Sequence, residues 1–391
     1  MKSATRLTLI AATICLLPIA TAQATDPAAV AEIVDRQIKP LMEEYDIPGM
    51  SVAVTVDGKA HFFNYGVASL NTQMPVTEDT LFEIGSVSKI FTSMLGTYAE
   101  AVGNLSLSDH PGDYLSALAG SPLDRATLLH LATYTAGDLP LQFPDTVASN
   151  AEAPTYFAQL EPGGAPGKQR RYSNPSIGLF GHITALAMGG DFSDLVDETL
   201  FGPLGLESSF IDVPETEMER YAWGYNSQEK PVRVNPGIFD AEAYGVKSTA
   251  TDLIRLVQAH IQPDGFDEIM RQTIEATQVG YFKIGEMVQG IGWEHYPYPI
   301  TLDRLLAGNS RTMAMEVNAA TELTPPLVRP EPTLFNKTGS TNGFGAYVAF
   351  VPDQNVGVVM LANKNYFIPA RVAAAHAILT ALSDYSIGPK I

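Results

Sequence analysis

The chain has 391 residues, enough for about two domains of roughly 150 residues and for a large buried core. Hydrophobic residues make up 46% of the sequence and charged residues 17%, which is typical of a globular protein and leaves little room for long disordered tracts. The formal net charge of −19 argues against a nucleic-acid partner, because phosphate binding needs a basic surface. The sequence has no acidic run, so we expect this charge to be spread over the surface.

The first 24 residues have the pattern of an export signal. A basic start precedes an apolar stretch over residues 7–20, and small-residue sites predict cleavage after Ala22 or Ala24. An uncleaved anchor is the alternative, although the stretch is shorter than the about 20 residues that span a bilayer. We therefore expect a periplasmic protein. The single cysteine, Cys15, lies in this segment, so the mature chain would have no disulfide.

A helix and a hairpin are predicted next. Residues 27–44 have apolar positions at helical spacing, which predicts an amphipathic helix. Two β-rich runs, residues 51–56 and 60–66, flank Asp57-Gly58, a dipeptide that tolerates the positive φ angles of a tight turn. The sequence therefore predicts an antiparallel strand pair here.

The middle of the chain has a helical pattern. Helices are predicted over residues 86–101 and 122–133, separated by loops rich in proline, glycine and aspartate, notably residues 137–145 and 161–167. Near the C-terminus, two apolar runs predict further strands, and an alanine-rich segment predicts a closing helix, over residues 345–351, 356–362 and 369–382.

Strands at both chain ends predict an α/β protein of the α+β type. We expect an antiparallel sheet flanked by helices and built from both ends, with an all-helical domain inserted between them. The predicted boundaries are residues 25–82 and 225–391 for the sheet domain and 83–224 for the helical domain, with the active site in the cleft between the two.

Ser86-Val87-Ser88-Lys89 is an S-x-x-K sequence near a predicted helix start, where a spacing of three places the hydroxyl and the ammonium on one face. A desolvated Lys89 can take the proton of Ser86, and the helix N-terminus directs backbone N–H groups at an oxyanion. About 0.6 such matches are expected by chance. A second match, Ser227 to Lys230, lies in a polar, turn-like stretch, so we expect Ser227 to be a bystander.

Two further motifs support Ser86. Tyr172-Ser173-Asn174 is the only Y-x-N sequence and opens a predicted helix, while Lys337-Thr338-Gly339 is the only K-T-G sequence and precedes a predicted strand. About 0.07 K-T-G matches are expected by chance. The order S-x-x-K, Y-x-N, K-T-G is therefore a strong signal.

These three motifs resemble the active-site boxes of the penicillin-recognising serine enzymes, and the tyrosine of the middle box is similar to that of class C (AmpC-type) β-lactamases. The resemblance implies the fold of that family and a serine β-lactamase of the cephalosporinase type that acts on a small-molecule β-lactam as a monomer, with no cofactor and no metal. It extends over nearly the whole mature chain, including residues 47–50, 82–89, 131–137, 172–178 and 337–345.

The resemblance implies that Ser86 attacks the β-lactam carbonyl while Lys89 and Tyr172 relay the proton. A phenol acts as a base only if positive neighbours lower its pKa from about 10, and Lys89 and Lys337 are the available cations. The resemblance also implies an oxyanion hole formed by the backbone N–H groups of Ser86 and Ser340.

The resemblance assigns further residues to substrate binding. Gln142 and Asn174 match positions that bind the substrate's side-chain amide, and Tyr244 matches the tyrosine of the pocket wall. The remaining matches are positions that face the substrate carboxylate or belong to the K-T-G box: Lys337, Thr338, Gly339, Asn365 and Arg371. Ile368 departs from the pattern, because the family commonly has an asparagine at this position.

Several points stay open at the level of sequence. No E-x-x-L-N segment is present, so the deacylating water would be activated by Tyr172, Lys89 or the substrate's own amine. The alternatives in function are a D,D-peptidase, a β-lactamase-like esterase, or a penicillin-binding protein that acylates without turnover. The seven histidines have no metal-ligand spacing and are expected at the surface or in helix caps.

Overall fold

The computed structural model describes residues 26–328 and 332–387, so the predicted export signal lies outside the described residues. Within them, no helix combines the length and the apolar character needed to cross a membrane. The α-helices are α1 (Pro27–Glu44), α2 (Lys89–Ala101), α3 (Pro111–Tyr114), α4 (Leu128–Ala132), α5 (Ala153–Gln159), α6 (Asn174–Met188), α7 (Phe192–Val196), α8 (Gly202–Leu204), α9 (Asp240–Ala243), α10 (Ala250–Ile261), α11 (Glu268–Thr277), α12 (Leu302–Gly308), α13 (Arg311–Met315) and α14 (Ile368–Ile387).

Most strands of the described chain lie toward its two ends, and a few two-residue strands lie between them. They are β1 (Gly49–Val56), β2 (Lys59–Ser69), β3 (Met74–Pro75), β4 (Phe82–Glu83), β5 (Gln169–Arg170), β6 (Gly224–Tyr225), β7 (Pro231–Val232), β8 (Lys247–Ser248), β9 (Gly280–Ile284), β10 (Met287–Gly290), β11 (Glu294–Pro297), β12 (Asn318–Ala319), β13 (Thr321–Leu327), β14 (Thr333–Ser340), β15 (Gly345–Val351) and β16 (Val356–Ala362).

Ten of these strands form one antiparallel sheet in the order β13-β9-β10-β11-β14-β15-β16-β1-β2-β3. The hairpin β1–β2 from the start of the chain lies beside β16 from its end, and Val52 pairs with Met360. This arrangement confirms the predicted antiparallel sheet from both chain ends. Asp57 and Gly58 have φ angles of 50° and 78°, as the predicted tight turn requires.

The sheet is buried on both faces by helices. Val52 of β1 belongs to the same apolar cluster as Val34 of α1 and Ile378 of α14. The next residue, Ala53, points to the opposite face and belongs to a cluster that contains Leu253 of α10. A third apolar cluster lies in the helical middle of the chain, around α4, α5 and α6.

Two predicted helices begin differently from the expectation. The helix predicted from residue 86 starts as a 3₁₀ turn, Gly85–Ser88, and becomes α-helical only at Lys89. The helix predicted over residues 122–133 is interrupted before α4, because the Thr127 side chain caps the new helix by accepting a hydrogen bond from the His130 backbone N–H.

The expectation for the histidines is wrong at three buried positions, of which His61 in β2, at 9% exposed, is the least buried. His260 and His295 are only 1% and 3% exposed, and their rings contact Trp293 and Phe335, respectively. Burial lowers the pKa of His260 to about 4 and that of His295 to about 3, so both are neutral core residues at neutral pH.

Strand β14 passes the 3₁₀ turn at a distance that only glycine permits. A Cβ atom on Gly339 would lie 1.9 Å from the carbonyl oxygen of Ile84. Gly85 has a φ angle of +52°, and a Cβ there would lie 2.5 Å from the backbone nitrogen of Ser340. The two glycines therefore bring the end of β14 against the turn that carries Ser86.

We expect Gly339→Ala to lower the free energy of unfolding by at least about 2 kcal/mol, because its methyl group would push β14 away from the backbone of the turn. Urea denaturation measures this loss. Gly265→Ala is the matched control, since nothing lies within 4 Å of its Cβ position. Equal stability of the two variants would contradict the close approach.

Candidate active site

Ser86 and Lys89 lie side by side at the start of α2. The Lys89 Nζ donates to the Ser86 Oγ at 3.0 Å and to the carbonyl oxygen of Ala243, at the end of α9, at 2.6 Å. Lys89 is fully buried. Burial is the largest influence on its pKa and lowers it to about 8, while Tyr172 opposes this effect and Lys337 adds to it. A neutral Lys89 is therefore accessible near neutral pH.

Tyr172 is placed by the N-terminal cap of α6. The Ser173 Oγ accepts from the Ser176 backbone N–H at 3.1 Å and donates to the Pro140 carbonyl oxygen at 2.6 Å, which fixes the chain where it enters the helix. Among the described residues, the Tyr172 hydroxyl makes no well-aligned hydrogen bond, although Ser86 and Lys89 lie close enough to favour its ionised form.

Two ammonium groups flank the Tyr172 ring. The Nζ atoms of Lys89 and Lys337 each lie 5.0 Å from the ring centre. Burial alone would raise the pKa of Tyr172, but Lys337 and then Lys89 outweigh burial and lower it to about 8. The phenol can therefore exchange a proton near neutral pH, which an ordinary tyrosine does not do.

Lys337 is itself held in a buried polar cluster. It is 2% exposed, and its Nζ donates to the Thr338 carbonyl oxygen at 3.1 Å and lies 4.0 Å from the Glu294 carboxylate. Arg170 approaches the same carboxylate at 3.5 Å, and its guanidinium lies 5.6 Å from the Tyr172 ring centre. Glu294 therefore sits between two buried cations beneath the tyrosine.

Ser86 is at the junction of two open cavities. The first, of about 250 Å³, lies on the side of the K-T-G residues; its lining includes Tyr172, Lys337, Thr338, Gly339, Met313 and Ile368. The second, of about 400 Å³, extends the other way; its lining includes Tyr244, Arg233, Asn235, Thr341, Asn342 and Asn365. The lining shared by both cavities is Ser86, Gln142, Asn174 and Ser340.

Most of the sequence-predicted residues thus meet around one cleft, but two are placed differently. Asn365 lines the second cavity and not the one that contains Lys337. Arg371 lines neither cavity and is 0% exposed. Its guanidinium donates to the Gly339 carbonyl oxygen, the Ser340 Oγ and the Asn365 Oδ1 at 2.7, 2.9 and 2.7 Å. Arg371 therefore does not face the cleft, as its match to carboxylate-facing positions implied, but supports the cleft wall from behind.

The second S-x-x-K sequence has a different environment. Ser227 and Lys230 lie in the turn between β6 and β7, and Lys230 is exposed. Neither residue lines the two cavities. Lys230 is open to solvent, so this pair lacks the burial that lowers the pKa of Lys89.

Comparisons with known proteins show the family to which this chain belongs. The β-lactamase family profile matches residues 34–383. A β-lactamase of Pseudomonas fluorescens is 53% identical over 353 residues, which cover 90% of this chain and 99% of the relative. A class C β-lactamase solved in complex with cefoxitin has a TM-score of 0.87 and 46% identity, covering 91% of this chain and 99% of that chain. The chain belongs to the class C (AmpC-type) β-lactamase family.

A structure described as a β-lactamase/D-alanine carboxypeptidase from Pseudomonas syringae is also similar, with a TM-score of 0.88 and 46% identity over 90% of this chain and 99% of that chain.

Sequence reasoning missed several residues at the site of this β-lactamase. Arg170 and Glu294 lie beneath Tyr172, and Arg233 lines the second cavity. Arg170 contacts Gln289 and the Met313 carbonyl oxygen, which are 119 and 143 residues away in sequence. No local motif signals such contacts; the only available hint was the position of Arg170 two residues before the Y-x-N box.

We expect one tyrosine of the β-lactamase to ionise near pH 8 and this ionisation to be absent in Tyr172→Phe. In Lys337→Ala the same ionisation should move to higher pH, because removing a neighbouring positive charge disfavours the phenolate. Tyrosinate absorbance during a pH titration measures both. Lys230→Ala removes an exposed lysine and is the control; an identical titration in Lys337→Ala and Lys230→Ala would contradict the assigned electrostatics.

Proposed function

We propose that this enzyme hydrolyses β-lactams, cephalosporins in particular, through an acyl-enzyme on Ser86 and so confers β-lactam resistance. The observation that carries the proposal is the 3.0 Å hydrogen bond from Lys89 to Ser86, beside a buried tyrosine flanked by two ammonium groups. These contacts supply both a nucleophile and groups able to take its proton near neutral pH.

In the proposed acylation, the Ser86 Oγ attacks the strained amide carbonyl and its proton passes to Tyr172 or Lys89. The backbone N–H groups of Ser86 and Ser340 stabilise the resulting oxyanion. Collapse of the tetrahedral intermediate breaks the C–N bond, and the proton reaches the departing nitrogen through Tyr172, which receives it either directly from Ser86 or from Ser86 by way of Lys89. Support comes from the glycine contacts that bring Ser340 beside the turn of Ser86.

The two cavities suggest how a substrate lies across Ser86. Lys337 and Thr338 would bind its carboxylate in the first cavity, next to Gly339. Asn174 and Gln142 would bind its side-chain amide, and Tyr244 would form the wall of the second cavity. Asn174 is 7% exposed and its Oδ1 has no partner among the described residues, so an amide N–H from substrate would satisfy it.

Deacylation needs a water activated beside the ester carbonyl. Tyr172 is the residue we assign to this step, because its lowered pKa lets the phenolate accept a proton from water near neutral pH. Lys89 would keep Tyr172 ionised, since its ammonium lies over the same ring. Ser86 is then released as the neutral hydroxyl once the proton from water has been returned to it.

A D,D-peptidase activity is the second candidate. The similar protein from Pseudomonas syringae is described both as a β-lactamase and as a D-alanine carboxypeptidase. The deciding experiment compares hydrolysis of a chromogenic cephalosporin with release of D-alanine from an acylated Lys-D-Ala-D-Ala peptide. Rapid turnover of the cephalosporin supports the β-lactamase; turnover of the peptide alone would contradict it.

Three further expectations belong to this proposal. The mature enzyme would act in the periplasm, since residues 1–24 have the pattern of an export signal. It would act as a monomer. Its active site would lie between the sheet domain of residues 25–82 and 225–391 and the helical domain of residues 83–224, a division supported by the mixed origin of the cleft lining.

Ser86→Ala is expected to lose several orders of magnitude in kcat, because it removes the covalent route. Mass spectrometry of the unmodified enzyme with a slowly hydrolysed β-lactam should place the adduct on the peptide that contains Ser86. Ser227→Ala is the matched control and should retain full activity. An adduct on Ser227 would contradict the assignment of the nucleophile.

Ile368→Asn is expected to lower KM for carboxylate-bearing cephalosporins by a few-fold. Ile368 lines the first cavity beside the K-T-G residues, and an amide there adds a hydrogen bond of about 0.5–1.5 kcal/mol. Steady-state kinetics on several cephalosporins checks this, with Phe367→Asn as control because the neighbouring Phe367 is absent from the cavity lining. An unchanged KM would mean that position 368 does not contact the carboxylate.

A further inference from the structure

The wall of the second cavity carries a positive charge. Arg233 lines it together with neutral polar side chains, and no aspartate or glutamate of the described residues contributes to the lining. This composition is notable in a chain with a formal net charge of −19. A ligand group that reaches this part of the cavity meets a cation without a competing carboxylate in the wall.

The Arg233 side chain is held in one orientation. Its guanidinium stacks on the rings of Tyr221 and Trp223, with 3.8 and 4.4 Å between the guanidinium carbon and the ring centres. Its Nε donates to the Ala222 carbonyl oxygen at 3.2 Å, and its Nη2 donates to the Tyr221 carbonyl oxygen. Nothing in the described part of the chain accepts a hydrogen bond from Nη1. The two N–H groups of Nη1 therefore remain available, in a fixed orientation, to donate to a ligand.

The nearest buried acid is engaged elsewhere. Glu83 is 2% exposed, and its Oε1 accepts from the Tyr221 hydroxyl at 2.7 Å and from the Val234 backbone N–H at 2.6 Å. Within the described residues, no carboxylate lies within ion-pair distance of Arg233. Glu83 thus fixes the segment that carries Arg233, while its Oε2 has no hydrogen-bond partner among the described residues. Burial lowers the pKa of Arg233, and Tyr221 and Glu83 oppose this effect, so Glu83 acts on the guanidinium without a direct ion pair.

Neighbouring groups of the same cavity add donors. Arg371 donates to the Asn365 Oδ1 at 2.7 Å, which leaves the amide NH₂ of Asn365 as the free end. The Thr341 Oγ1 is buried and has no partner among the described residues. Both residues line the cavity that contains Arg233. A hydroxyl and an amide NH₂ beside a guanidinium are groups that suit a carboxylate.

We infer that Arg233 recognises an anionic group on the acyl side chain of the substrate, so that the preferred substrates include β-lactams whose side chain ends in a carboxylate. The inference rests on the proposed function, which places the side-chain amide at Gln142 and Asn174 and so directs the remainder of the side chain into the second cavity.

Two substrates of equal size test this recognition. Glutaryl-7-aminocephalosporanic acid carries a terminal side-chain carboxylate, and its terminal carboxamide is the neutral counterpart. The measured quantity is the ratio of kcat/KM for the carboxylate to kcat/KM for the carboxamide. Arg233→Gln should lower this ratio by about tenfold, mainly through KM of the carboxylate substrate, and leave the carboxamide unchanged.

Matched variants separate local contact from overall charge. Lys230→Gln removes one positive charge from an exposed position outside the cavity and should leave the ratio unchanged. Arg233→Lys keeps the charge without the fork of donors and should give an intermediate ratio. In the unmodified enzyme, the ratio should also fall as KCl is raised from about 50 to about 500 mM, a measurement that does not depend on any variant folding.

Three results would overturn the inference. Unchanged kcat/KM for both substrates in Arg233→Gln would show that Arg233 does not contact the anion, and equal losses in kcat/KM for both substrates would make Arg233 a structural support only. A ratio that does not respond to salt would count equally against it. Absence of turnover of both cephalosporins by the unmodified enzyme is a different result, because it would contradict the proposed function itself.

Discussion

Burial of two ammonium groups around one phenol is the interaction on which the rest of the site depends. Desolvation disfavours the charged forms of Lys89 and Tyr172 alike, while the positive charge of Lys337 favours the phenolate. The pKa values of Lys89 and Tyr172 converge at about 8. A proton moves between groups of similar pKa with little change in free energy, and this is what an acyl-transfer site needs at the nucleophile.

These side chains are held in place mostly by contacts between residues that are far apart in sequence. Lys89 is fixed by the Ala243 carbonyl oxygen, 154 residues away, and the strand of Lys337 is fixed by the contact of Gly339 with Ile84. Arg371 ties the same strand to Asn365 from behind. Because each contact joins separate elements, the site exists only when the sheet and the helices have packed together.

Local patterns in the sequence were enough to predict the N-terminal hairpin, the C-terminal strand pair and some of the helices, and the three motifs led to four candidate side chains at the cleft. The hairpin of Asp57-Gly58 and the strand pair β15–β16 were predicted from turn chemistry and β-rich runs, and the motifs identified Ser86 and Tyr172. The burial of Arg371 was not predictable from sequence. Helical spacing indicates on which face of a helix a residue lies, but it does not indicate whether other parts of the chain cover that face. Arg170 was missed because its partners come from β10 and α13, remote in sequence.

The order of the strands also limits when this protein can fold. Strand β1 pairs on one side with β2, its neighbour in the chain, and on the other side with β16, which is distant in sequence. Val52 therefore cannot pair with Met360 until β16 is present. Contacts of such sequence separation require the closure of a very long loop and slow the folding of a domain. A chain emerging N-terminus first therefore cannot complete the centre of its sheet until almost all of it has been synthesised. Until then, the edge of β1 that faces β16 has no partner strand, and its backbone N–H and C=O groups remain available to water or to the strand of another chain.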